Sequence, residues 1–304
     1  MKFGKLDDIS DVDFSLPPIN DRTLDLLGRQ PARRFQAYVG LPRWASKDWV
    51  GQLFPRGTKQ NEYLHYYSRS FNTIELNTTH YRIPQPDQIQ KWAQQVPDTF
   101  VFCPKIPQVI SHYRKMIHSE SEMEQFTDSI RVFGDRMGCA FVQMHESFGP
   151  ALMANLETFL ECWPEDLPIA FEFRNAEWFD TQQLFAPVLG LLREYKAATV
   201  ITDVSGRRDV LHTDLTNKTA MIRLVGNALD KTDYERADAW VDRLKLWVNN
   251  GLEKLYLFPH EPGDVEAAKM GTYLVEQLNL KLKQELRIPG IPDTSSSGQI
   301  SLFG

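Results

Sequence analysis

The chain has 304 residues, 42% of them hydrophobic, with 18 Phe and 7 Trp, enough apolar volume for one large core. Forty acidic residues against 34 basic ones give a net charge of −6. That argues against a protein that coats nucleic acid non-specifically, because such binding needs many phosphates neutralised by Lys and Arg. Cys103, Cys139 and Cys162 are too few and too scattered for a disulfide framework or a zinc ligand set, and favour reduced, mostly buried thiols. The first ten residues carry Asp7 and Asp8 and no apolar core. No stretch approaches the length of a membrane span, so a soluble, unprocessed, cytoplasmic protein without membrane contact is expected.

Residues 1–35 contain Pro17, Pro18 and a short apolar pattern around Leu24, Leu26 and Leu27, and read as an N-terminal extension packed on the main domain. From 36 to 287, eight short runs rich in β-branched and aromatic residues occur at 37–40, 73–76, 100–103, 140–144, 169–173, 199–202, 220–224 and 255–258. They alternate with segments whose apolar residues recur at three and four, at 62–71, 87–95, 120–137, 151–162, 181–196, 235–249 and 263–283. Strict alternation implies parallel strands joined by right-handed crossovers, and eight units predict a single α/β domain, a TIM-type (β/α)8 barrel. An open doubly wound sheet is the alternative; no Gly-rich phosphate fingerprint comes after the first run to support it. Only the sixth helix is missing from the pattern, since 205–217 is short and polar and predicts a short helix or a loop. Asp87 after Pro86, Ser119 with Glu122 three residues on, and Asp180 or Thr181 mark helix starts. Residues 288–304 change composition through Thr294-Ser295-Ser296-Ser297-Gly298 and predict a flexible tail.

At or just beyond the ends of the runs lie Arg43, Glu75, Asn77, Lys105, Gln143, Glu172, Arg174, Asp203, Arg223, His260 and Glu261, where a barrel of this kind carries its reactive groups. Alternate residues of a strand share a face. Glu172 and Arg174 should therefore point one way and Phe171 and Phe173 the other, with Glu75 and Asn77 paired likewise. Glu75 and Glu172 form a candidate acid/base pair, one held neutral and one ionised. Ion pairs closing the barrel top, Glu172 with Arg174 or Glu75 with Arg82, are the alternative. Lys105, Arg174 and Arg223 form a cation cluster suited to phosphate or carboxylate. His112 is a candidate general acid/base. Asn77, Tyr81, Arg82, Gln143, Trp178, Asp203 and His260 complete the candidate substrate-binding set. Trp44, Trp49, Tyr81 and Trp178 offer faces for a sugar or base, with packing the alternative for Trp49 and Trp178. His80, His112, His145, His212 and His260, with Glu75, Glu172, Asp203 and Glu261, keep a divalent metal open. With no HxH or HxxxH pair, no metal ligand is assigned and no cofactor is predicted. A Gly-x-Ser-x-Gly elbow, a P-loop and a Cys–His pair by spacing are all absent.

Several segments together resemble the YecE-like family, the domain of unknown function numbered 72, over about residues 36 to 280. They are Lys47-Asp48-Trp49-Val50-Gly51 before Phe54-Pro55, Phe71-Asn72-Thr73-Ile74-Glu75-Leu76-Asn77 leading to Tyr81-Arg82, and Phe102, Lys105 and Ile110-Ser111-His112. Further on come Phe141-Val142-Gln143, Phe171-Glu172-Phe173-Arg174 with Trp178, Asp203, and Ile222-Arg223-Leu224 with Gly226. The resemblance implies a TIM-type barrel and no established reaction. Departures from the family pattern are Gly40-Leu41-Pro42-Arg43-Trp44, Met144-His145-Glu146, Val225 and Phe258-Pro259-His260-Glu261, which point to a divergent branch. At the chain's end, Gln299-Ile300-Ser301-Leu302-Phe303 resembles the pentapeptide by which bacterial replication and repair proteins dock on the sliding clamp. Leu302 and Phe303 would enter an apolar pocket and Gln299 would bond at its edge. The expected function is an enzyme-like barrel, a hydrolase or lyase on a phosphate-bearing substrate, brought to DNA or a nucleotide-derived ligand by the clamp. The alternatives are a metabolic hydrolase, lyase or isomerase for a phosphorylated or acidic small molecule, and a non-catalytic clamp-associated module.

Overall fold

The structure, a computed structural model, describes residues 4–291; the clamp-like pentapeptide at 299–303 lies outside the described residues. Eight strands run parallel: β1 (Gln36–Leu41), β2 (Thr73–Leu76), β3 (Val101–Pro104), β4 (Ala140–Gln143), β5 (Ile169–Glu172), β6 (Ala198–Asp203), β7 (Thr219–Val225) and β8 (Lys254–His260). Their order is β3-β2-β1-β8-β7-β6-β5-β4. The ends of this row meet through two isolated bridges rather than a ladder, Phe102 with Met137 and Lys105 with Phe141. Ile106 N–H donates to Phe141 O at 2.9 Å and Gly138 N–H to Phe102 O at 2.8 Å. Gly138 has to lack a side chain there, since a Cβ would stand 2.9 Å from both Cys103 Sγ and Phe102 O. The result is a nearly closed (β/α)8 barrel.

Helices Tyr63–Ser70, Pro86–Gln95, Glu120–Arg131, Met153–Cys162, Gln182–Glu194, Lys231–Asn250 and Asp264–Leu282 surround it. Between β6 and β7 stands only a short 3-10 turn, Arg208–Val210, as the scarcity of apolar residues there predicts. Two sequence expectations need correction. The helix expected over 120–137 stops at Arg131, and a 3-10 turn comes next over Gly134–Arg136, with Gly134 at φ 54°. Ser119 precedes that helix with φ −127° and ψ 20° and makes no side-chain cap; Glu122 is drawn instead to Arg114, 2.8 Å away.

Period-two alternation sorts the strand residues into two cores. Ile74, Leu76, Phe102, Val142, Phe171, Ile201, Ile222, Leu255 and Leu257 face the helices in the larger cluster. Val101, Cys103, Phe141, Ala170, Ala198, Val200, Met221, Tyr256 and Phe258 fill the barrel's inside. The next inward positions toward the strands' C-terminal ends are Glu75, Lys105, Gln143, Glu172, Arg223 and His260. Each continues the inward parity of its strand above that apolar plug.

The β1–β2 pairing is only two residues long, Gly40 with Thr73 and Leu41 with Ile74, and side chains extend it. Tyr67 Oη accepts from Leu41 N–H at 2.7 Å and donates to Thr73 O at 2.9 Å. Asn72 accepts from Val39 N–H at 2.8 Å and donates to Ala37 O at 2.9 Å. The Asn72 side chain thus stands in for the missing ladder below Glu75, giving that stretch of the family-like segment a mechanical reason.

The segment before β1 packs on the connection between β6 and β7 and on the Lys231–Asn250 helix. Its helix Asp21–Leu27 ends at Gly28 with φ 95° and buries Leu27. Nearer the N-terminus, Gly4 O accepts from Gly206 N–H at 2.8 Å, and the Phe14 ring lies 4.8 Å from the Arg236 guanidinium. No helix of the described residues is long and apolar enough to cross a membrane.

Candidate functional site

An open cavity of about 1060 Å³ lies over the C-terminal ends of the strands, lined among others by Glu75, Asn77, Lys105, Gln143, Arg174 and Arg223. Arg223, 1% exposed, stands at the centre of its floor. Its Nε and Nη2 donate to the two oxygens of Glu75, each at 3.0 Å, and its Nη1 donates to Glu172 Oε2 at 2.6 Å. Glu172 Oε1 accepts from Arg174 Nε at 2.6 Å. Glu75 accepts in addition from Asn77 Nδ2 at 2.9 Å and lies 2.8 Å from His260 Nε2. Lys105 Nζ donates to Gln143 Oε1 at 3.0 Å.

These contacts set the charge states. Burial alone would raise both carboxyl groups, but Arg223 and His260 hold Glu75 well below the usual carboxylate range. Arg174 and Arg223 bring Glu172 down to about 2. Both are ionised, so the expected division into one neutral and one charged carboxyl does not hold: Arg223, shared between them, and Arg174 on Glu172 hold both in the charged form. Burial pushes the His260 imidazole down, so it serves Glu75 as a neutral N–H donor. Burial, then the Arg223 charge, lowers the Lys105 ammonium to about 8. Among the described residues three cations, Lys105, Arg174 and Arg223, thus gather beside Glu75 and Glu172, with Glu146 acting on Arg174 from the side. Burial and neighbouring cations also bring His80 and His112 down to about 4, well below the near-neutral value expected of His112. Because His80 Nδ1 lies 2.8 Å from Ile106 O, a carbonyl that only accepts, Nδ1 carries the proton and Nε2 the lone pair.

The rim adds Lys5, Arg43, Asp48, Gln108, Asn227, Glu261 and Asp264. Burial, reinforced by Asp233, raises Glu261 to about 7, and Ala228 N–H donates to it at 3.0 Å. Its carboxyl occupies space that only a glycine leaves open: a Cβ on Gly226 would stand 2.0 Å from Glu261 Oε1. Gly226→Ala is therefore expected to push the Glu261 carboxyl off Ala228 N–H and to lower stability by about 1 kcal/mol, measured by urea unfolding. Gly226→Ala/Glu261→Ala should recover most of the loss, as contacting residues couple; additive losses would refute the clash. Because the folded-state value of Glu261 lies above the 4.5 of the unconstrained group, its stabilisation is complete below pH 4.5 and is lost as pH rises through about 7. Glu261→Gln should flatten that part of the stability–pH curve.

Not every candidate residue reaches the cavity. Glu75, Asn77, Tyr81, Lys105, His112, Gln143, Arg174, Arg223 and His260 line it, and Glu172 lies directly beneath. Arg223 is saturated by carboxylates, so it braces the floor rather than meeting a ligand. Asp203 faces outward: it accepts from Trp240 Nε1 at 2.7 Å, Arg236 Nη1 at 3.0 Å and Arg208 Nη1 at 2.5 Å. The parity of β6 accounts for this, since Val200 points inward and Asp203 is three residues on. Trp178 is 1% exposed, packs on Phe173 and donates to Phe148 O at 2.6 Å; it is core. Trp49 lines the cavity while remaining fully buried, its indole N–H bonded to Asp264 O at 2.7 Å. Arg82 is exposed and outside the cavity, so the alternative Glu75–Arg82 pair does not form, whereas Glu172–Arg174 does. His212 stacks on Phe179 away from the site. From sequence His80 and Glu261 figure only among residues that keep a metal open, on their position after a strand; the structure places both in the cavity lining. Among the described residues, no group of three or more His, Cys, Asp or Glu is placed to hold a metal ion.

The comparisons with known proteins agree with this architecture. The UPF0759 protein YecE of Escherichia coli (strain K12) is 27% identical over 277 residues, spanning 85% of this chain and 98% of that protein. The UPF0759 protein YunF of Bacillus subtilis (strain 168) is 28% identical over 156 residues, 47% of this chain and 52% of its own length. A DUF72 family protein from Enterococcus faecalis V583 has a solved structure that superposes with a TM-score of 0.64 at 19% identity, covering 83% of this chain and 99% of that one. That last likeness is one of fold. The model described as "Protein of unknown function DUF72" matches residues 38–295, the whole of the barrel with its floor of charges, and the chain belongs to that family.

Proposed function

We propose that the barrel's mouth binds a small phosphate- or carboxylate-bearing ligand, and that the C-terminal pentapeptide brings this activity to the sliding clamp and so to DNA. The cations gathered at a buried floor carry the reading. Burying Lys105 beside Arg223, with the neutral Gln143 as its hydrogen-bond partner, is costly unless an anion completes the set, and low-dielectric walls focus the cations' field on the cavity. A chain of net charge −6 has no need of a broad basic surface if a tether supplies effective concentration near DNA. The ligand is nucleotide-derived or a sugar phosphate, and the chemistry hydrolysis or elimination.

Thermal unfolding in rising inorganic phosphate, with chloride at matched ionic strength, tests the site. Saturable stabilisation by phosphate alone is expected, tracking the logarithm of occupancy; equal effects of both salts would overturn it. For the tail, purified clamp should retain the intact chain and release the Leu302→Ala/Phe303→Ala variant. Equal retention would remove the DNA role and leave a metabolic barrel acting on a small anion.

A further inference from the structure

We infer that Lys105 is a nucleophile that forms an imine with the carbonyl group of an anionic aldehyde or ketone bound in the cavity. The proposal rests on the anion-binding reading of the same cavity and names the substrate class. Its basis is how the lysine is held. Lys105 comes directly after β3, is 7% exposed and lines the cavity. Among the described residues no carboxylate lies within 4.0 Å of its amine, whose hydrogen-bond partner is the neutral Gln143 carbonyl oxygen. The two carboxylates of the floor are taken up by Arg223, Arg174, Asn77 and His260. A lysine there merely to balance charge would be paired with one of them.

Two arginines hold the carboxylates, and burial together with the Arg223 charge favours the uncharged amine of Lys105 against the opposing pull of Glu75 and Glu172. With its ammonium brought down to about 8, roughly a tenth of the side chain is unprotonated at pH 7. Nζ then adds to the carbonyl carbon, a C–N bond forming as the carbonyl π bond breaks, and a proton of the amine passes to the oxygen to give a carbinolamine. A second proton from solvent in the open mouth expels that oxygen as water, leaving a protonated imine. The cations lining the cavity attract the ligand's phosphate or carboxylate, so the same cluster selects the anion and sets the state of the nucleophile.

The test is reductive trapping on the full chain with glyoxylate or dihydroxyacetone phosphate and cyanoborohydride, then peptide mass mapping. One adduct per chain on Lys105 is expected, formed at least about tenfold faster than on the exposed Lys231, whose pairing with Glu235 raises its ammonium. Lys105→Arg, which keeps the charge but forms no stable imine, should abolish it. An abasic-site oligonucleotide, an aldehyde flanked by phosphates, identifies the source: trapping on Lys105 assigns it to DNA, trapping by the small compounds alone to a metabolite. If phosphate stabilises the protein while Lys105 stays unmodified by all three, the imine is refuted and the anion site stands. If phosphate has no effect and adducts appear only on exposed lysines, both fall.

Discussion

Replacing Arg223 by alanine is expected to cost about 3–5 kcal/mol of stability at pH 7, because it removes the one side chain bonded to both buried carboxylates and leaves their oxygens without that guanidinium. Glu75 would lose both bonds of a bidentate pair and Glu172 one of its two guanidinium partners. The urea midpoint reads the loss, and pH gives it a signature. In the native protein Glu172 is lowered from 4.5 to about 2, so its contribution is complete above pH 4.5 and is lost as pH falls toward 2. Without Arg223 burial dominates and the carboxyl groups take up protons more readily when folded than when unfolded. The variant should then gain stability on mild acidification where the native protein does not. Arg223→Ala/Glu75→Gln should regain part of the loss at pH 7. An unchanged midpoint in the single variant would show that the guanidinium does not brace the floor.

Arg174→Ala is expected to weaken phosphate binding by about 30-fold or more, some 2 kcal/mol, through loss of a charge-assisted contact in a confined site. Calorimetric titration with inorganic phosphate measures it. Stability should fall less than with Arg223→Ala, since Glu172 keeps its 2.6 Å bond to Arg223. A large affinity loss with a modest stability loss is the pattern of a ligand-binding residue. The reverse pattern, unchanged affinity with a collapsed midpoint, would make Arg174 a brace and remove the anion reading's main contact.

The barrel was legible because its signal is distributed: eight apolar runs and the helical periodicity between them each repeat the same message, and each observed strand falls within two residues of its expected bounds. The site was legible wherever a strand's parity could be counted, as with Glu75 beside Asn77 and Glu172 beside Arg174. Asp203 was misplaced because its position at a strand end was weighed without the alternation of Val200 and Thr202 before it. Charge states were not legible at all. One arginine contributed by β7 fixes the ionisation of carboxylates on β2 and β5, a coupling over 148 and 51 residues of chain that no local pattern encodes. Glu261 and Gly226 fit together only through the close approach of β7 and β8.

The wall of the barrel is uneven in how firmly it is tied. β7 and β8 pair over seven residues, whereas β3 and β4 meet at isolated bridges, one of them at Lys105 itself. Local opening is easiest where the fewest backbone bonds must break. The lysine therefore sits at the seam where the wall lacks a ladder, and a small parting of two strands there would shift its amine while the arginine–glutamate brace keeps its shape.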